Sequence, residues 1–98
     1  MLIRIVKMTF MVNEIDAFKQ IFQASKEKIR SFPGVQHLEL LQDIHQQNVF
    51  FTYSYWESEE DLEKYRHSSL FKNVWAQTKP LFKEKAEAWS TQRLHQLK

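Results

Sequence analysis

Val49 to Trp56 reads VFFTYSYW, and both of its alternating rows are substantial: Val49, Phe51, Tyr53 and Tyr55 on one side, Phe50, Thr52, Ser54 and Trp56 on the other. Aromatic and β-branched side chains of this kind favour a strand. A strand with two such faces constrains the whole chain, because helices from the same small domain can cover only one side of its sheet. The second side then needs a partner or a ligand. Straight after Trp56, Ser58 supplies an N-cap and Glu59, Glu60 and Asp61 place acids in a first helical turn, where the helix dipole favours them.

The rest of the chain can be arranged around this strand. Leu2 to Phe10 is β-branched and aromatic with Arg4, Lys7 and Thr9 interspersed, a pattern suited to a strand with unequal faces. Asn13 offers an N-cap, and Ile15, Phe18, Phe22, Ser25 and Ile29 recur at three and four residues, predicting an amphipathic helix of about 18 residues. Pro33-Gly34 ends it, since proline disfavours helical geometry in the residue before it and glycine accepts a left-handed turn. Val35 to Leu41 reads as a second strand, with Asp43 to Asn48 as a polar hairpin loop before the third. The helix beginning at Glu59 breaks near Ser68-Ser69. A further helical stretch carries Leu70, Phe71, Val74, Trp75 and Thr78 and, past Pro80, Leu81 and Phe82; Ala86 to Thr91 is the expected closing strand. The order is β-α-β-β-α-β: an α+β, ferredoxin-like, four-stranded antiparallel sheet with helices on one face. Residues 1–92 form the expected domain and residues 93–98 a polar tail. The open sheet face is the expected homodimer surface.

Composition excludes several classes of function. Fourteen Lys and Arg against twelve Asp and Glu leave a net charge of +2, with the signs interspersed, so no nucleic-acid footprint is expected. The absence of cysteine removes disulfides, thiolate metal sites and cysteine nucleophiles, and fits a reducing, cytoplasmic setting. No apolar run approaches the roughly 18 residues of a membrane span. The four histidines lack ligand spacing with carboxylates, and a single glycine cannot build a phosphate loop or a dinucleotide fingerprint. Neither a metal nor a cofactor is expected.

Phe32-Pro33-Gly34, then Tyr55-Trp56-Glu57-Ser58-Glu59-Glu60 with Leu62, then Ser69-Leu70-Phe71 occur in an order and spacing that resembles the antibiotic biosynthesis monooxygenase family of dimeric α+β barrels. The resemblance covers nearly the whole chain, from the first strand through Trp89. It implies a dimeric barrel and one of several activities, among them cofactor-independent oxygenation of quinols or polyketide aromatics and haem degradation. Many quinol-type relatives carry a histidine nine residues after the tryptophan, where this chain has Tyr65. His67 lies two residues on, about 200° around a helix, and does not replace it. Haem-degrading relatives use an asparagine, a tryptophan and an axial histidine at positions that an ungapped reading assigns to Lys7, Tyr65 and Trp75. Without the imidazole, haem chemistry loses its iron ligand.

The candidate site follows from what a cofactor-free oxygenase needs: aromatic walls, a few hydrogen-bonding groups and little water. Trp56, Tyr65, Phe71 and Trp75 are candidate walls, and Thr52 and Ser54 share a strand face with Trp56. Tyr65, His67 and His37 are the candidate catalytic groups, the imidazoles because they titrate near neutrality. Structural roles compete at each position. Large aromatics fill small cores, a histidine near a helix end suits the carbonyl end of the dipole, and His37 on the second strand can face a partner subunit instead. Two functions fit: a homodimeric cofactor-independent monooxygenase acting on a small aromatic or quinol-like compound, or a non-catalytic barrel that binds a small apolar molecule or serves a stress or regulatory role.

Overall fold

A computed structural model describes residues 1–98. Its strands are β1 (Leu2–Phe10), β2 (Val35–Gln42), β3 (Val49–Trp56) and β4 (Phe82–Gln92), and its helices are α1 (Ile15–Arg30), α2 (Glu59–Arg66) and α3 (Ser69–Thr78). The strands form one antiparallel sheet in the order β2-β3-β1-β4, the ferredoxin-like arrangement, with the helices on one face. No helix is long and apolar enough to cross a membrane.

Strand parity decides which residues meet the helices. On β1, Met8 and Phe10 are buried in a cluster with Phe18 of α1 and Phe50 of β3. A second cluster joins Val35, Trp56 and Leu62, with Phe32 and Tyr65 packed against it. β2 stays in phase with this face through an irregularity at Gln36: Val35 pairs with Trp56, yet His37 pairs with Tyr55, so Leu38 lies opposite Ser54. That extra residue is why the second strand alternates only loosely in sequence.

Three boundaries differ from the sequence expectation. Asn13 sits inside a 3-10 turn, Val12–Glu14, and its side chain caps nothing; α1 starts at Ile15. The helical stretch does not continue past Pro80. α3 ends at Thr78, a 3-10 turn with proline in its first positions spans Lys79–Leu81, and Phe82 opens β4. β4 is therefore longer than Ala86 to Thr91. Its first half was hard to read because Lys83, Glu84 and Lys85 are exposed on a sheet edge, where charge is common and alternation is lost.

Two local devices fix the helices that matter for the site. Gly34 adopts a φ of 94°, and a Cβ there would lie 2.5 Å from atoms of Asp61, so the Pro33-Gly34 turn is pressed against the start of α2. Glu57 N–H also donates to the Gly34 carbonyl at 2.8 Å. At the α2–α3 joint, the Ser68 hydroxyl donates to the Tyr65 carbonyl at 2.6 Å and accepts from the Phe71 N–H at 3.1 Å. One side chain thus ends one helix and caps the next, setting the angle between Tyr65 and Phe71.

Candidate functional site

Between the two buried clusters lies a partly open cavity of about 120 Å³. Its floor is the helix-covered face of the sheet, and its roof is α1, α2 and α3. Thr52, Ser54, Trp56, Tyr65, Phe71 and Trp75 all line it. A shallower groove of about 470 Å³ beside Met1, Glu57 and Ser90 has no aromatic wall, so size alone does not pick the site.

The walls form a continuous aromatic ladder. Trp56 and Tyr65 have ring centroids 5.1 Å apart, Tyr65 meets Phe71 edge-on at 5.2 Å, and Phe71 stacks on Trp75 at 5.7 Å with 12° between the planes. Trp75 then meets Phe82 at 5.4 Å, and Phe82 meets Phe10 at 5.1 Å. Edge-on and offset contacts of this kind are the arrangements aromatic pairs prefer.

The polar groups are few and each is placed by the sheet. Ser54 is buried, and its hydroxyl accepts from the Trp56 indole N–H at 3.0 Å, which orients the indole. Burial pushes the Tyr65 hydroxyl up to about 12, so it stays protonated near neutrality and acts as a hydrogen-bond donor, not as a base. Thr78, also buried, spends its hydroxyl on the Val74 carbonyl at 2.7 Å.

Neither histidine named from the sequence lines this cavity. His67 follows the last turn of α2 with its side chain 78% exposed, and its Nε2 lies 3.4 Å from the Glu63 carboxylate. His37 is on the opposite face of the sheet, stacked 4.7 Å from the Tyr55 ring and paired with Glu39. The parity of β2 after its irregularity sends His37 outward, a displacement that loose alternation in sequence does not reveal. That outer face is aromatic, with Tyr53, Ile5 and Trp89 in register across β3, β1 and β4 and Arg93 5.0 Å over the Tyr55 ring.

The two charged residues that line the cavity, Arg4 and Arg66, were missed in sequence. Arg4 shares the parity of Met8 and Phe10, so a cation falls on the apolar face of β1. That parity was the available signal.

The residues present do not suit haem. No histidine lines the cavity, Trp75 stands where the resemblance would need an imidazole, and about 120 Å³ is far too small for a macrocycle. No three His, Asp or Glu side chains converge in a metal-holding group.

Known proteins share this architecture. A Nitrosomonas europaea protein carrying the family name superimposes with a TM-score of 0.90 at 17% identity, covering 97% of this chain and 100% of that one. A Pseudomonas aeruginosa protein gives 0.85 at 20% identity over 96% and 94%, and one from Caulobacter crescentus 0.89 at 14% over 96% and 90%. At such identities these likenesses speak for the fold alone. No functionally curated protein matches the sequence. The model of the family named "Antibiotic biosynthesis monooxygenase" matches residues 1–77. With that match over most of its length and the shared fold, the chain belongs to the antibiotic biosynthesis monooxygenase family.

Proposed function

We infer that the protein is a cofactor-independent monooxygenase acting on a small, single-ring phenol or dihydroquinone, working as a homodimer through the outer sheet face. The observation that carries this reading is the aromatic-walled cavity with only a handful of hydrogen-bonding groups between helices and sheet. Its volume of about 120 Å³ lies close to the roughly 150 Å³ cavity that holds one benzene in an engineered core, and well below the room a fused tricyclic anthrone needs. One ring between Trp56 and Trp75 is the fit.

In such a reaction the substrate supplies all four electrons that reduce dioxygen. A ring C–H bond and the phenolic O–H bond break, a new C=O forms from one oxygen atom, and the other leaves with two hydrogens as water. The protein's part is to hold the ring against Trp56, keep water out and donate a hydrogen bond from the Tyr65 hydroxyl to a substrate or developing peroxide oxygen. Oxygen uptake with a panel of single-ring dihydroquinones is the test. Turnover that falls at least tenfold in Tyr65→Phe supports the reading, and no uptake with any member of the panel contradicts it.

One observation favours a second reading, binding without turnover: no imidazole or carboxylate lines the cavity, so no side chain there takes a proton near neutrality. The same assay separates the two. The dimer is tested apart from chemistry, because Tyr53, Tyr55 and Trp89 otherwise face water; sedimentation as a monomer at micromolar concentration would contradict it.

A further inference from the structure

β2, β3, β1 and β4 place Leu38, Ser54, Arg4 and Ser90 side by side in register, and the first three of these line the cavity. Arg4 is the only charge in this row. Its Nη1 donates to the Ser90 hydroxyl at 2.9 Å, which pins one side of the guanidinium to β4. A guanidinium carries five N–H donors in a planar fork, and no carboxylate lies within ion-pair distance of this one. The acid whose charge acts on Arg4, Glu63 on α2, makes its ion pair with Arg66 at 2.8 Å. The charged groups facing Arg4 are therefore Arg66 and Glu63, and the balance at this end of the cavity is positive.

A half-buried arginine without a counterion is costly unless something supplies the missing charge. Desolvation first, and the neighbouring Arg66 second, hold the Arg4 guanidinium below its ordinary range, with Glu63 opposing them only in part. The aromatic ladder and Arg4 both line the cavity. A ligand that satisfies both has a ring at one end and an anionic oxygen at the other.

We propose that the cavity binds its ligand as an anion, a single aromatic ring bearing a carboxylate or an ionised hydroxyl, with Arg4 as the anion-binding residue and Arg66 as a weaker rim contributor. This rests on the reading that the cavity takes a single-ring ligand, and it deepens it. In a site with no base, a guanidinium that favours the oxyanion replaces deprotonation by the protein: the substrate enters already ionised, or sheds its proton to water on binding. Bidentate pairing between a guanidinium and a carboxylate provides the geometry for such selection.

The test is calorimetric titration of the full-length protein with benzoate and with benzamide, which match in ring and shape and differ in charge. Benzoate is expected to bind at least tenfold more tightly than benzamide. In Arg4→Met the ratio should fall to about one, whereas in Arg66→Met the preference for benzoate should shrink only severalfold. Equal binding of the two probes by the wild-type protein overturns the proposal without any variant, and so does a preference that survives in folded Arg4→Met. Binding of neither probe overturns both this proposal and the single-ring site. A strong benzoate preference in a protein that consumes no oxygen with any phenol sustains the anion site and removes only the oxygenase reading.

Discussion

The helix-covered face of the sheet has two halves that are equally rich in aromatic residues and differ in what they do with them. Under α1, Phe10 and Phe18 stack at 4.2 Å and Phe50 meets both rings, with all three buried. Under α2 and α3, Trp56, Tyr65, Phe71 and Trp75 make contacts of similar length yet enclose a cavity. The difference lies in the polar groups. The filled half has no charge on its floor, while the hollow half has Arg4 flanked by Ser54 and Ser90. Aromatic density alone therefore does not mark a site; aromatic density beside a half-buried cation without an ion-pair partner does.

The comparison is sharpest in stability. Phe10→Ala should cost about 3 to 5 kcal/mol, as for other buried aromatics truncated in close-packed surroundings. Trp75→Ala, which widens a space that already exists beside a half-buried ring, should cost clearly less. Urea unfolding of the two variants checks this, and equal losses would mean that the second half is packed like the first.

Alkaline pH offers the next largest effect. The Tyr65 hydroxyl is held up to about 12 in the folded state against an ordinary value near 10, so the folded protein binds that proton more tightly than the unfolded chain. Its contribution is complete below pH 10 and lost as the pH rises through about 12, amounting to roughly 3 kcal/mol at about 1.4 kcal/mol per unit. Tyr65→Phe should remove that component, so the stability difference between wild type and variant should change over this window and stay flat below it. A difference that is flat throughout would show the phenol to be solvated, and the hollow half to be wet.

A smaller effect, about 1 kcal/mol, is expected for Ser68→Ala, which deletes the α3 cap and the bond to the Tyr65 carbonyl. It should loosen the hollow half and leave the filled one unchanged, a distinction that amide exchange at Phe71 and Phe18 resolves.

Much of this fold is legible in the sequence because its signals are local. The two rows of β3, the Ser58 cap and the Pro33-Gly34 stop each act within a few residues, and together they give the element order. The cavity walls are legible for the same reason, since Thr52, Ser54 and Trp56 share one strand face. What escaped depends on distant partners. His37 turns outward because of an irregularity at Gln36 that only the pairing with β3 defines, and His67 extends into solvent because α2 ends one residue before it. Phe82 looks helical until Phe10 and Trp75 are seen to pack against it from either side. Arg4 was readable by parity, but its meaning depends on Ser90, 86 residues away, the one side-chain hydrogen-bond partner of its guanidinium.

The three tryptophans give the most direct test, because Trp56 and Trp75 line the cavity while Trp89 lies on the outer face, 46% exposed. In a nitrogen-15 correlation spectrum, titration with benzoate should shift the indole N–H signals of Trp56 and Trp75 and leave that of Trp89 in place. Movement of Trp89 alone, or of none of the three, would contradict the assignment of the hollow half as the binding site.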